Sequence, residues 1–209
     1  MGEEAREGGR PMTIEILGLT KSYGGKAVID GLDLSISDDA RLVLTGPEGS
    51  GKTTLLRLLA GLEKADAGQI NLLGDYKHEE FTVGMVFQED RLFSGFTAAE
   101  NVAIVHKLFS ENRAREELGK LLAEDRCNIP VRELSAEEQR LTAIVRACMF
   151  PSNILLLDEP FRDLSENMRK KALSYILESA GHKAILFAQR TDEGLEGMRK
   201  VEMGSGSLE

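Results

Sequence analysis

The chain has 209 residues and a formal net charge of −9, and these two quantities already exclude several classes of protein. A chain of this length can bury a sizeable core as one α/β domain with a modest insertion. Its acidic balance argues against sequence-independent binding to nucleic acid or to an anionic bilayer surface. Cys127 and Cys148 lack the spacing of a metal site, and two thiols form no disulfide framework. A reducing cytoplasm therefore fits the cysteine content best.

Membrane contact is expected to be indirect. No apolar run approaches the roughly 18 residues of a membrane-spanning helix, and runs such as Ile154–Leu157 have the length of a strand. Residues 1–11 are charged and glycine-rich, so we expect neither a signal peptide nor an anchor there. Residues 1–11 and 204–209 are predicted to be disordered tails, and residues 12–203 a single domain.

Between these tails the hydrophobic pattern predicts an alternation of short strands and helices. The predicted strands are Thr13–Gly18, Leu32–Ser37, Arg41–Thr45, Gln69–Leu73, Thr82–Gln88, Asn153–Asp158 and Lys183–Ala188. The predicted helices are Lys52–Leu62, Thr97–Lys107, Glu111–Glu124, Ser135–Phe150 and Ser165–Ala180. Residues from about 95 to 150 show no convincing strand, so we expect an α/β fold with a mixed central sheet and an α-helical insertion.

Residues Gly46–Thr54, here called the phosphate loop, read GPEGSGKTT and contain the pattern G-x-x-x-x-G-K-[ST]. The glycines allow backbone N–H groups to turn toward phosphates, and the apolar strand Arg41–Thr45 precedes a helix whose N-terminus favours anions. Lys52 supplies a cation for the outer two phosphates, and the Thr53 hydroxyl is placed to ligate Mg²⁺. The predicted nucleotide-binding residues of this loop are Gly46, Pro47, Glu48, Gly49, Ser50, Gly51, Lys52, Thr53 and Thr54.

The sequence NILLLDEP at residues 153–160 is an apolar strand that ends in two carboxylates. Four consecutive branched aliphatic residues indicate burial on both faces, as in a parallel sheet. Ligands of such sheets bind beyond the carboxyl ends of the strands. Asp158 is therefore predicted to hold Mg²⁺ through water, and Glu159 to polarise a water for in-line displacement. The alternative is that both carboxylates are simply solvated at a strand end.

Together these motifs resemble the ATP-binding cassette family, the nucleotide-hydrolysing subunits of ABC transporters. The resemblance runs from about Met12 to Val201. It implies a P-loop NTPase fold with an antiparallel β part, and ATP and Mg²⁺ as ligands. It also implies two partners, a second cassette and a separate membrane permease.

Two further segments extend the resemblance. In LTKSYG, Tyr23 occupies the position of an aromatic that stacks on adenine, with an ordinary turn aromatic as the alternative. The segment VGMVFQED resembles the family's glutamine loop. The resemblance implies that Gln88 contacts the metal or the attacking water and senses the permease. Residues 87–93 and 97–102 look most like the cassettes of nitrate, sulfonate and taurine-type importers.

The first departure from the family lies in its LSGGQ signature, which closes over the partner's nucleotide. Residues 134–140 read LSAEEQR, so Ala136 and Glu137 replace both glycines. Their side chains crowd the partner's phosphate, and a like-charge pair at about 4 Å costs around 4 kcal/mol at an effective dielectric near 20. The same segment favours its own helix, because Ser135 and Glu138 are predicted to form a capping box.

Two more departures lie nearby. The family places a histidine after the strand Lys183–Ala188, where this chain has Gln189, a neutral hydrogen-bond donor. In the loop that crosses the dimer, Leu164 and Ser165 replace the usual Leu-Asp, and Ser165 is predicted to be a helix N-cap. All three departures face the partner cassette. We therefore expect normal nucleotide binding within the chain but slow hydrolysis.

The leading hypothesis is a cytoplasmic ATPase subunit of an ABC importer, held at the inner face of the membrane by its permease. Glu159, Gln88 and Lys52 are the predicted catalytic residues, and Thr53, Asp158 and Gln88 the predicted metal ligands. A homodimer and a heterodimer with a standard cassette both remain open, and the transported substrate is not specified by these residues.

Two other functions are weighed against this hypothesis. One is a regulatory or assembly subunit that binds ATP without useful hydrolysis, which the retained Glu159 argues against. The other is a soluble cassette of DNA repair or translation. The 45 residues between Gln88 and Leu134 leave no room for a long coiled-coil insertion, and the acidic charge disfavours nucleic acid.

Overall fold

The structure is a computed structural model that describes residues 13–74 and 81–204. The predicted N-terminal tail, and the C-terminal tail beyond Gly204, lie outside these ranges. The strands are β1 (Thr13–Tyr23), β2 (Lys26–Ser37), β3 (Arg41–Thr45), β4 (Ala67–Leu73), β5 (Val83–Val86), β6 (Ile154–Asp158), β7 (Ala184–Ala188) and β8 (Arg199–Glu202). The α-helices are α1 (Lys52–Leu59), α2 (Ala98–Ala103), α3 (Glu111–Leu118), α4 (Ala136–Met149) and α5 (Glu166–Ala180). Two short 3-10 turns, Glu124–Asn128 and Val131–Glu133, precede α4.

The predicted α/β fold of a P-loop NTPase is confirmed, with one difference in how the strands are grouped. Strands β5, β6, β7, β3 and β8 form, in that order, a sheet in which every pairing is parallel. Strands β2, β1 and β4 form a separate antiparallel sheet. The parallel and antiparallel strands therefore make two sheets instead of one mixed sheet.

Several predicted boundaries were wrong. Strand β1 continues past Gly18, whose φ of 56° accommodates an irregularity where the pairing with β2 shifts register. Helices α2 and α3 end at Ala103 and Leu118, before the predicted Lys107 and Glu124. The edge strand β8 was missed, because Val201 is its one buried residue and no apolar run marks it.

The parallel sheet is covered on both faces, which explains the continuous apolar run of β6. Leu155 and Leu157 pack into a core formed with α2, α3, α4 and α5. Ile154 and Leu156 pack into a second core formed with α1 and the antiparallel sheet. Because successive side chains of a strand point to opposite faces, a strand buried on both sides must be apolar throughout.

The parallel arrangement brings four functional segments to one edge of the sheet. Leu44 of β3 and Asp158 of β6 both pair with Ala188 of the intervening β7. The phosphate loop, the carboxylates after β6 and Gln189 after β7 therefore lie at the same carboxyl edge, and Gln88 follows the adjacent β5. The described part of the chain contains no helix with the length and apolar character needed to cross a membrane.

Candidate nucleotide site

The phosphate loop turns through backbone conformations that favour glycine. Gly46 and Gly51 have φ values of 138° and 92°. A Cβ atom at Gly46 would lie 2.4 Å from the carbonyl oxygen of Met203, and one at Gly51 would lie 2.5 Å from that of Val28. Neither position has room for a side chain, so the two glycines allow the loop to sit directly on its backbone neighbours.

Lys52 lies inside this turn at the first position of α1, with 7% of its surface exposed. Its Nζ donates hydrogen bonds to the carbonyl oxygens of Gly46 and Pro47, at 2.7 and 2.8 Å, and to Ser50 Oγ at 3.1 Å. Burial lowers the pKa of Lys52, and the Glu159 carboxylate opposes that shift most strongly among the nearby charges. The result is a buried cation held by two backbone carbonyl groups and one hydroxyl, inside the turn that the sequence predicts to bind phosphate.

The three predicted metal ligands line one cavity of about 160 Å³. Thr53 and Asp158 lie together on the wall of this cavity, and Asp158 is 2% exposed. Burial raises the pKa of Asp158, whereas the Thr53 hydroxyl lowers it. Gln88 reaches the same cavity from the loop after β5. Hydroxyl, carboxylate and amide oxygens are donors that suit Mg²⁺, which keeps several waters and binds phosphate oxygens as well.

Glu159 occupies a backbone conformation that glutamate rarely adopts, with φ at 48°. Its N–H donates to the carbonyl oxygen of Ala188 at 2.8 Å, which fixes the residue beside the end of β7. Its side chain lines a cavity of about 210 Å³ that Gln189 also lines. Among the described non-glycine residues, positive φ occurs at Arg91, Glu159 and Asp163, all in loops that border the site.

Tyr23 lies at the end of β1 and not in a turn. Its hydroxyl donates to Glu63. Burial raises the pKa of Tyr23, and the Glu63 hydrogen bond raises it further. The ring stays 46% exposed beside the first turn of α1, with Lys21 Nζ 5.5 Å from its centroid. A ring in this position is available to stack on a base.

Two arginines that the sequence analysis did not single out hold the Gln88 loop. Arg140 of α4 is fully buried and donates to the carbonyl oxygens of Phe87, at 2.8 Å, and Gln88, at 2.7 Å. Its Nε lies 3.1 Å from Asp90 Oδ1. Arg146, two turns further along α4, donates to the carbonyl oxygens of Asp90 and Arg91.

This contact joins the helix that follows the signature segment to the loop at the metal site. The signal for it was present in the sequence, because Arg140 shares a helical stripe with the apolar residues Ala143, Ile144 and Ala147. An arginine on such a stripe indicates a buried cation that needs acceptors.

The segment at the signature position is engaged by its own chain. Ser135 is the N-cap of α4 and forms the predicted capping box with Glu138, which is confirmed. The Glu137 carboxylate accepts a hydrogen bond from the backbone N–H of Ser165 at 2.8 Å. Ser165 is the N-cap of α5, as predicted, but its side chain makes no capping bond. Two of the three departures from the family are thus in direct contact.

Comparison with known proteins places this geometry in context. A family model described as "ABC transporter" matches residues 29–162. The Fe(3+) ions import ATP-binding protein FbpC of Mesorhizobium japonicum is 35% identical over 198 residues, covering 87% of this chain and 55% of the relative. The sulfate/thiosulfate import ATP-binding protein CysA of Bradyrhizobium diazoefficiens is 37% identical over 217 residues, covering 95% and 63%. The chain thus spans less than two thirds of the length of these two relatives.

Solved structures show the same fold at lower identity. A dimeric ATP-binding cassette in a post-hydrolysis state bound to ADP and Pi superposes with a TM-score of 0.82 and 23% identity, covering 94% of this chain and 96% of that one. A putative ABC transporter ATP-binding protein from Pyrococcus furiosus gives 0.78 and 21%, covering 91% and 97%. Since the family model matches more than half of the chain, the chain belongs to the ABC transporter family, as an ATP-binding domain.

Proposed function

We propose that this chain is the ATP-binding subunit of an ABC-type importer, which couples the binding and slow hydrolysis of Mg-ATP to transport through a separate membrane permease. One observation carries the proposal. The buried Lys52 in its glycine turn lies at the same sheet edge as Thr53 and Asp158, which line one cavity. The printed names of the relatives, which are import ATP-binding proteins for Fe(3+) and for sulfate/thiosulfate, support an importer. The likeness to nitrate, sulfonate and taurine-type importers stays a prediction.

Each residue has a role in this proposal. The phosphate loop and Lys52 bind the triphosphate, and the Tyr23 ring stacks on the base. Thr53 would ligate Mg²⁺ and Asp158 would hold it through water, with Gln88 as a further ligand. The bound ion would supply positive charge against the phosphates. Glu159 accepts a proton from the attacking water. The water oxygen forms a bond to the terminal phosphorus as the bond from that phosphorus to ADP breaks.

The residues that would face a second cassette explain why hydrolysis is proposed to be slow. Glu137 brings a carboxylate to the helix start that would meet the partner's nucleotide, and Gln189 brings no charge to the position of the family's histidine. In a homodimer both sites carry both changes. Beside a standard cassette, Glu137 affects one site and Gln189 the other. A heterodimer would therefore retain more activity than a homodimer.

An apolar groove supports contact with a permease. It has a volume of about 450 Å³ and runs between β5 and the helices that follow it. Phe93 and Ile104 on its rim are each 54% exposed. Met85 and Phe87 line both this groove and the cavity that contains Gln88. An apolar permease segment seated here would therefore press on the metal side of the nucleotide site.

The nucleotide assignment is tested by calorimetric titration of the purified chain with Mg-ATP. Lys52→Ala should abolish measurable binding, because it removes the cation within the turn. Lys64→Ala is the matched control, since Lys64 is exposed on the loop after α1. Asp158→Asn should weaken binding in Mg²⁺ but not in excess chelator. Equal affinity of the parent and Lys52→Ala would refute the assignment.

The permease assignment is tested by isolating the chain with its membrane partner and measuring phosphate release with and without that partner. The partner should stimulate turnover, and Phe93→Glu should remove the stimulation while leaving basal turnover unchanged. Leu108→Glu is the control, because Leu108 is 83% exposed but does not line the groove. Stimulation that survives Phe93→Glu would show that the groove is not the contact.

A further inference from the structure

The loop after β7 makes an ion pair that the roles described above do not use. Arg190 Nη2 lies 3.0 Å from Glu48 Oε2, and Glu48 belongs to the phosphate loop. The two side chains are 69% and 85% exposed. The pair therefore joins the residue after Gln189 to the rim of the nucleotide site.

Backbone and electrostatic contacts place Arg190 beside the reacting end of the site. Its carbonyl oxygen accepts a hydrogen bond from the Gly46 N–H at 3.4 Å. Its guanidinium charge is one of the groups that lower the pKa of Lys52. It also lines the cavity that contains Glu159 and Gln189. Arg190 is thus adjacent to the phosphate loop, to Glu159 and to the uncharged Gln189.

The charges at this rim are unusual for an anion site. Glu48 places a carboxylate on a loop that must accept a triphosphate, and this carboxylate repels an approaching phosphate. An exposed ion pair is held weakly, and its guanidinium can exchange one acceptor for another at little cost. Phosphate is a strong competitor, because a guanidinium binds its oxygens through two parallel N–H donors.

We propose that Arg190 binds the terminal phosphate of the nucleotide, exchanging Glu48 for it, and so supplies the cation that Gln189 cannot. The proposal rests on the nucleotide site described under Proposed function. Two other arginines line the same cavity, but they are engaged away from the phosphate loop. Arg162 pairs with Asp163 at 3.2 Å, and Arg169 pairs with Glu193 at 3.7 Å.

The test compares the dissociation constants of Mg-ATP and Mg-ADP, which differ by the terminal phosphate. Arg190→Ala should weaken ATP binding about tenfold or more, the loss expected for one charge-assisted hydrogen bond, and change ADP binding less than about twofold. Arg190→Lys should recover part of the loss, since it restores the charge without the fork. Arg169→Ala, the matched control in the same cavity, should change neither constant.

A second variant separates the two partners of the ion pair. Glu48→Gln should tighten ATP binding, because Arg190 is then free and the repulsion is gone. The same Glu48→Gln change should give a smaller gain when it is made in Arg190→Ala, because only the loss of repulsion then remains and no arginine is freed. Thermal unfolding of each variant controls for folding, and Arg190→Gln replaces Arg190→Ala if the alanine variant is unstable.

The outcomes distinguish this inference from the proposed function. Suppose that the parent binds Mg-ATP. If Arg190→Ala then weakens the binding of ATP and ADP equally, or changes neither dissociation constant, Arg190 does not contact the terminal phosphate. If the parent binds neither nucleotide, or Lys52→Ala binds like the parent, the nucleotide site itself is wrong. If Arg190→Ala loses affinity for ATP but still binds ADP like the parent, the inference is supported.

Discussion

The two sides of the candidate site differ in how they relate to the rest of the family. On the side that holds the chain's own nucleotide, the phosphate loop, Thr53, Asp158 and Glu159 are all retained and lie at one sheet edge. On the side that would face a second cassette, the expected glycines and histidine are replaced. The residues expected to bind the chain's own nucleotide are therefore kept, whereas those expected to contact a partner's nucleotide are changed.

The residues at the signature position form hydrogen bonds at the starts of two helices of this chain. Glu137 accepts from the backbone N–H of Ser165, which places a carboxylate at the start of α5 where the helix dipole favours it. Ser135 and Glu138 cap α4 in the same way. The starts of α4 and α5 are thus satisfied by side chains of the same chain. We expect these contacts to favour local stability at the expense of close approach by a second subunit.

The retained side is tested most strongly through Glu159. Glu159→Gln should lower steady-state phosphate release at least about 100-fold, the usual effect of losing a general base, while Mg-ATP still binds. Glu193→Gln is the matched control, because Glu193 lines the same cavity from an exposed position. Single-turnover hydrolysis by Glu159→Gln at the parent rate would instead favour a subunit that binds ATP without useful hydrolysis.

The link between the two sides is Arg140, and breaking it should cost the most stability. Arg140→Met keeps much of the volume but leaves the carbonyl groups of Phe87 and Gln88 without their donor and Asp90 without its ion-pair partner. We expect the free energy of unfolding, measured in urea, to fall by about 3–5 kcal/mol. Arg132→Met should change it by less than about 0.5 kcal/mol, because Arg132 is exposed. Similar losses in both variants would mean that the buried contact is not a stabilising link.

The altered side is tested by restoring the glycines. The double variant Ala136→Gly, Glu137→Gly should raise turnover roughly fivefold, about 1 kcal/mol, because screening at a surface reduces the repulsion well below its unscreened value. Steady-state phosphate release at saturating Mg-ATP measures the gain. Glu137→Gln is the matched comparison, since its amide oxygen can still accept from Ser165 while the charge is removed.

The pattern of gains in these variants identifies the cause. A gain in both the double variant and Glu137→Gln assigns the slow rate to charge, and a gain in the glycine variant alone assigns it to crowding. Turnover that stays at the parent level in both would contradict the idea that this segment limits hydrolysis.

The sequence predicted those parts of the molecule that local patterns specify. The phosphate loop, the apolar β6 and the capping box at Ser135 each depend on residues within a few positions of one another. Strand β8 could not be predicted in this way, because it pairs with β3, which lies more than 150 residues earlier, and buries only Val201.

The side-chain contacts that modify the site are also long-range. Glu137 and Ser165 are 28 residues apart, Arg140 and Gln88 are 52 apart, and Glu48 and Arg190 are 142 apart. A helical stripe could indicate that Arg140 is buried, but only the fold shows which carbonyl groups it binds. Sequence patterns therefore located the chemistry, while the residues that tune it required three-dimensional packing.

The smallest expected effect concerns the capping box of Ser135 and Glu138 at the start of α4. Arg126 binds Glu138 through two hydrogen bonds and lowers the pKa of Glu138 from 4.5 to about 2. Because the folded-state pKa lies below the unfolded one, this contact stabilises the chain fully above about pH 5 and is lost as the pH falls toward 2. Glu138→Gln should reduce the free energy of unfolding by about 1 kcal/mol at neutral pH.

The same variant should become less sensitive to acid than the parent. In urea titrations, the difference between the parent and Glu138→Gln should therefore shrink between about pH 5 and pH 3, since the parent carboxylate is protonated on unfolding in that range. Glu133→Gln, at an exposed ion pair with an N–O distance of 3.8 Å, should show no such change. If the difference stays constant across this range, the charge on Glu138 does not contribute and the capping hydrogen bonds alone stabilise α4. The hydrogen bonds to the backbone N–H groups would then account for the stability of the helix start. Glu137 would remain the one carboxylate of the segment whose charge opposes a second cassette.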